Sequence, residues 1–125
     1  MYDGNEGFEN CRRSLLKLFD ETRAIKVLDL IIDICQDIIY DEPDERIAKG
    51  KFIRVLYNLN NSDALQTLLE KDYIKIFRIF LIDILSIHRE VNDYCVGNEE
   101  FDKLGLYELQ DILIEVRQNQ LSMHR

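Results

Sequence analysis

The sequence predicts an all-α protein: a compact bundle, or a stacked helix-pair (repeat-like) domain, of about five main helices. Three observations lead there. Apolar residues recur at alternating steps of three and four along most of the 125 residues, the period of a buried helix face. One proline and five glycines leave too few turn residues for a β-sandwich or barrel of this length. Apolar residues make up 46% of the chain and charged residues 32%, which suits a packed core and not a disordered segment. No Gly/Ser linker and no shift in composition divides the chain, so residues 1–125 read as a single helical domain.

The first helix follows from Phe8, Cys11, Leu15, Leu18 and Thr22, with Asn5 as its N-cap and a break at Asp20-Glu21-Thr22. A second helix, 22–40, carries Ile25, Leu28, Ile31, Ile32, Cys35, Ile38 and Ile39 on its inner side. Its β-branched content also suits a strand, but it is far too long for one, and its aspartates recur every four residues. Pro43 ends it, because the residue before proline is driven out of helical geometry, and Pro43 itself is expected to open a third helix, 43–59. That helix has Ala48, Phe52, Val55, Leu56 and Leu59 on one face. Gly50 lies within it and implies either a close backbone approach or a start after Gly50.

Asn60-Asn61-Ser62-Asp63 form a loop, followed by a short helix with Ala64, Leu65, Leu68 and Leu69 inward. Residues 73–95 are read as the central helix. Tyr73, Phe77, Phe80, Ile84, Ile87, Val91 and Tyr94 form a seam, with Ile74, Ile79, Leu81, Ile82 and Leu85 outside it. Phe77, Phe80 and Ile84 are the expected core residues, and the same seam could instead join two copies as a homodimer. Gly97 is the expected C′ residue and Asn98 the next cap, with a short turn or loop over 98–104. A last helix, 106–121, carries Leu106, Leu109, Leu113 and Val116.

Residues Val55-Leu56-Tyr57-Asn58-Leu59, Ser62, Leu68-Leu69 and Ile74 resemble the junction between two armadillo-type helical repeats. The resemblance covers about twenty residues and has no second copy in the chain. Asp72 and Tyr73 stand where a small residue is usual before the isoleucine. It implies stacked helix pairs and, for function, an interaction or scaffold domain of a larger assembly.

Catalytic and metal chemistry finds little support. His88 has Asn92 and Cys95 one and two turns on, but no CxxC or HxxxH partner accompanies it. His124 stands next to the end of the chain. No glycine-rich phosphate loop, GxSxG or HExxH occurs, and neither histidine follows a glutamate by three. The reading is therefore of a protein that is not an enzyme and carries no cofactor or metal. Cys11, Cys35 and Cys95 are odd in number and widely spaced, so they read as free buried thiols. The first ten residues hold Asp3, Glu6 and Glu9 without an apolar run, and Ile74–Ile87 is interrupted by Lys75, Arg78 and Asp83. No signal peptide or membrane span is expected, and a reduced, cytoplasmic location is.

Charge carries the functional reading. Acids outnumber bases by 24 to 16, for a net charge of −8, which disfavours direct binding of nucleic acid. The excess is blocked. Between Lys26 and Arg46 stand Asp29, Asp33, Asp37, Asp41, Glu42, Asp44 and Glu45 with no base. Residues 46–89 are net basic, and 90–116 acidic again, with Glu108, Asp111 and Glu115 on the last helix.

Asp29, Asp33, Asp37 and Asp41 wind along one side of a helix at four-residue steps, where like charges destabilise by ~0.2–0.5 kcal/mol per pair. Two expectations follow. Either Arg46, Lys49, Lys51 and Arg54 of the neighbouring helix neutralise the ribbon, or the ribbon serves a basic partner. The second gives the favoured function: a small acidic inhibitor, of the immunity-protein kind, that neutralises a basic nuclease toxin by blocking its groove. The ten acids named from Asp29 to Glu45 and from Glu108 to Glu115 are its candidate contact residues.

Overall fold

The computed structural model describes residues 4–84 and 104–123, with side chains from Glu9 to Ile82 and from Leu104 to Ser122. The described residues form α1 (Gly4–Thr22), α2 (Ile25–Asp41), α3 (Glu45–Asn60), α4 (Ala64–Leu68), α5 (Lys71–Ile79), a π-helical turn (Phe80–Ile84) and α6 (Leu106–Met123). The protein is an all-α compact helical domain. The expectations placed on Phe8, His88, Cys95, Gly97, Asn98 and His124, and on the Ile84 side chain, lie outside the described residues.

Two helices organise the packing. α2 contacts α3, α5 and α6, while α6 contacts α1, α2 and α3. The α6 seam is as its spacing requires: Leu106, Leu109, Leu113 and Val116 are fully buried, joined by Ile112. From α2, Val27, Leu28, Ile31, Ile32 and Cys35 face the core. α1 adds Cys11, Leu15 and Phe19, and α3 adds Ala48, Phe52, Ile53 and Leu56. Burial of one such large aliphatic or aromatic side chain contributes roughly 1.5–3 kcal/mol.

The boundaries show where local chemistry decided. α1 does not break at Asp20-Glu21-Thr22. It continues through Thr22, whose hydroxyl donates to the Leu18 carbonyl at 2.9 Å. Asn5 lies inside the helix and is not its cap. The chain turns at Arg23, which takes φ 54° in the left-handed region and donates its N–H to the Phe19 carbonyl at 2.8 Å. The buried Ala24 then leads directly into α2.

α2 ends as expected. Glu42 is extended ahead of Pro43. Pro43, however, does not open α3. Asp44 does, as an N-cap accepting from the Arg46 and Ile47 N–H groups at 3.0 and 3.3 Å. Gly50 neither starts the helix nor meets a close neighbour: nothing lies within 4 Å of where a Cβ would stand.

Several inward assignments are corrected. Val55, Leu68 and Ala64 are exposed, because α3 buries Ile53 instead and the short α4 presents only Leu65, with Leu69 just beyond it, to the core. Within the 73–95 segment, helix begins two residues earlier, at Lys71. The seam residues Phe77 and Phe80 are fully buried within the chain itself. The π turn spans Phe80–Ile84, and Leu81, one turn on from Phe77 and placed outside the seam by its spacing from Phe80, is buried as well. Ile79 and Ile82 remain exposed, so the described part of this segment has an open face, and the central position among the described elements is held by α2 and α6.

Gln120 is the one buried polar residue among those described: it is 1% exposed, and neither amide atom has a hydrogen-bond partner there. An unsatisfied buried amide costs on the order of 1–3 kcal/mol. Gln120→Met should therefore raise stability by about 1–2 kcal/mol in denaturant melts, and a loss would mean the amide is satisfied in solution. Gly50→Ala should raise it by about 0.5–1 kcal/mol. Phe80→Ala should lower it by about 3–5 kcal/mol; a loss under about 0.5 kcal/mol would place the π turn after α5 outside the cooperative core.

Candidate functional site

The acids divide into those the fold engages and those it leaves to solvent. Asp29 pairs with Arg117 of α6, 88 residues away. Glu42 accepts from Lys51 at 2.9 Å and from the Asp44 N–H at 3.2 Å, and these bonds hold its carboxyl below the ordinary value, Lys51 contributing most. Asp44 caps α3. Glu45 reaches from the start of α3 to accept the Tyr107 N–H at 2.9 Å, and Glu108 accepts the Gly105 N–H at 2.9 Å.

Together Glu45 and Glu108 satisfy two of the donors that open α6. Glu115 forms a forked pair with Arg12 of α1, at 2.8 Å to Nε and 2.6 Å to Nη2. The hydrogen bond from Arg12 holds the Glu115 carboxyl below its ordinary value despite an opposing desolvation effect. The Arg12 guanidinium is raised in return, with Glu9 at 3.4 Å as a smaller contributor.

Asp33, Asp37, Asp41 and Asp111 are left exposed. Among the described residues none of the four has a hydrogen bond or ion pair. Among the acids of the 29–45 block, the ion pair seen with a base of α3 among the described residues is Lys51 with Glu42. Lys49 donates to the Leu104 carbonyl at 2.7 Å. Arg46 and Arg54 are exposed, without a carboxylate within ion-pair distance among the described residues.

Asp33, Asp37 and Asp41 are successive turns of α2, about 6 Å apart along its axis. Gln36 and Tyr40 fall between them on the same side. Tyr40 is 90% exposed, an unusual cost for a large aromatic ring, and it closes the ribbon between Asp37 and Asp41. Sequence reasoning placed Tyr40 only as the end of α2, although its spacing from Asp33, Asp37 and Asp41 already put it on their face.

Beside the upper ribbon, a shallow cleft of about 490 Å³ opens between α2 and α6, lined by Asp29, Asp33, Gln36, Arg117 and Gln118 over Ile32 and Ile114. The arrangement offers carboxylate and amide acceptors around apolar surface. It has the chemistry to receive cationic side chains.

No group of three or more His, Cys, Asp or Glu side chains among the described residues is disposed to hold a metal ion, and no helix there is long and apolar enough to cross a membrane. Cys11 and Cys35 are buried thiols, and burial pushes the Cys35 thiol up to about 12, where almost no thiolate forms near neutral pH. Comparison with protein-family models, curated proteins and solved structures finds no significant match.

The Arg12–Glu115 pair gives a pH prediction with a definite sign. A carboxyl held below its unfolded value stabilises fully above about pH 4.3, the unfolded value, and less as the pH falls through the lowered folded one. Glu115→Gln should be less stable than the parent at neutral pH, with the gap closing on acidification. A gap in urea melts that is the same at about pH 7 and about pH 3 would remove the pair from the stability of the fold.

Proposed function

We propose that this chain is a non-enzymatic binding protein whose exposed α2 face engages a basic protein partner, and that the partner class is a nuclease domain neutralised by blockade. The observation that carries the reading is the residue left after the fold has used its acids: Asp33, Asp37 and Asp41, unpaired among the described residues, in register along one helix around an exposed Tyr40. Repulsion along that line disfavours the isolated helix, and a cationic partner offsets it on binding. The same field steers encounter and raises the on-rate most at low salt. Tyr40 supplies what charge alone does not, a rigid amphipathic ring of the kind that dominates binding energy when buried at an interface.

A nuclease fits because its substrate groove must be basic to hold phosphates, and a line of carboxylates one helical turn apart meets such a groove directly. Inhibition then follows from occupancy of the groove or of its rim, with no chemical step.

The test begins with co-expression of this chain with the products of neighbouring genes, followed by pull-down. The captured protein should be basic, and its nuclease activity should fall as the chain is added. Asp33→Asn with Asp37→Asn should then weaken the complex by about tenfold or more and flatten its salt dependence, while thermal stability holds or rises. Tyr40→Ala should weaken it independently. Unchanged affinity and unchanged salt dependence in the double variant would overturn the reading.

A further inference from the structure

We propose a second binding site, of opposite charge, in the groove between α4 and α5, and that its ligand is an acidic amphipathic helix of a partner protein. The groove has a volume of about 470 Å³. Leu69 and Ile74 give it an apolar lining, and Lys71, Lys75 and Arg78 stand over them. All three cations are exposed, and among the described residues none lies within ion-pair distance of a carboxylate.

In this they differ from Arg12, Lys51 and Arg117, which have carboxylate partners, and resemble Arg46 and Arg54; what sets them apart is that all three line one groove. Arg78 is held, but by a neutral group: its Nε donates to the Asn60 side-chain oxygen at 3.0 Å. The guanidinium is thereby positioned with its full charge uncompensated. Glu70 at the mouth is the one acid lining the groove, so the local balance stays positive against a net charge of −8.

The layout selects the ligand. Lys71, Lys75 and Arg78 are spaced along one face of one helix by about 6 Å and about 4.5 Å, a line of charges that an extended, multiply charged ligand matches along its length. Carboxylates at i, i+4 and i+7 of a helix laid alongside repeat the same spacing, and an apolar residue between them reaches Leu69 and Ile74. Beyond Arg78 the same side of the segment continues with the exposed Ile79 and Ile82, which extends the apolar part of the track. This is helix-in-groove recognition with a charged register. It is separate from the α2 face, and each site can fail without the other.

The experiment uses the full chain and a labelled helical peptide with glutamates at i, i+4 and i+7 and a leucine at i+3 in an alanine background, followed by fluorescence anisotropy. Saturable binding is expected. It should weaken about tenfold or more for Lys71→Glu with Lys75→Glu, and by a smaller factor for Arg78→Gln. It should be unaffected by Asp33→Asn with Asp37→Asn. Thermal melts accompany each variant, and Lys75→Gln provides a milder change should the double reversal perturb folding.

Absence of saturable binding overturns the proposal, as does equal binding of the matching glutamine peptide or unchanged binding by the Lys71/Lys75 and Arg78 variants. Displacement of the peptide by inorganic phosphate or a single-stranded oligonucleotide would reassign the groove to phosphates. Self-association that Lys75→Glu abolishes would reassign it to the α2 face of a second copy. Either result overturns the proposal.

Discussion

The backbone entering α6 brings a carbonyl at Leu104 and N–H groups at Gly105 and Tyr107 to the edge of the core, and such groups must be partnered if the helix is to start there. α3 supplies two of the partners, Lys49 for the carbonyl and Glu45 for the Tyr107 N–H, and Glu108 closes on Gly105 from within α6. Gly105 itself belongs to the arrangement, since a Cβ there would stand 2.5 Å from the Glu45 carboxylate. With its start set by these contacts, α6 lays Leu106, Leu109, Leu113 and Val116 against α1, α2 and α3. The apolar seam supplies most of the free energy. The rim pairs, Arg12 with Glu115 and Arg117 with Asp29, are partly exposed and contribute little to stability, but they suit one register of α6 against its neighbours.

This division of labour explains what becomes of a surplus of acids. Among the described residues, Glu45, Glu108 and Glu115 beside α6 and Asp44 at the start of α3 are drawn into caps and ion pairs, and Asp33, Asp37 and Asp41 on the outer turns of α2 are not, nor is Asp111. The described surface therefore carries both signs in separate stretches, with uncompensated carboxylates along α2 and uncompensated cations along the α5 groove, and Arg46 and Arg54 exposed on α3, in a molecule whose net charge alone would suggest a uniformly acidic exterior.

Much of the fold is legible in the residues because burial and helical period agree. The α6 seam, the end of α2 before Pro43, and the buried Phe77 and Phe80 all follow from spacing and from proline sterics. The errors have local causes. Gly50 suggested a close approach or a late start because glycine is poor inside a helix, yet α3 is carried past it by Phe52, Ile53 and Leu56. Val55 and Leu68 are apolar but lie off the buried side, and apolar identity alone does not say which side that is. Leu81 is buried beside the Phe77–Phe80 seam because i+4 from Phe77 is as inward as i+3, and nothing in the composition announces the π turn after Ile79.

The α2 ribbon was legible as geometry, in its four-residue step, but its fate was not. Whether Asp29 meets Arg117, 88 residues on, depends on tertiary packing that no local pattern contains. Tyr40 was available to helical spacing and was obscured by its place at the end of an apolar run.

The direction of α2 has an electrical consequence. Peptide dipoles along a helix sum to about half a positive charge at its N-terminus and about half a negative charge at its C-terminus. α2 has no acid in its first turn and no base in its last, while Asp37 and Asp41 crowd its negative end. Side chains and backbone therefore add where natural helices more often make them cancel. The potential over α2 deepens from Asp33 towards Asp41 and is greatest beside the Tyr40 ring. A cation drifting near this surface is drawn along the helix axis as well as towards it, and the gradient delivers it to the aromatic end.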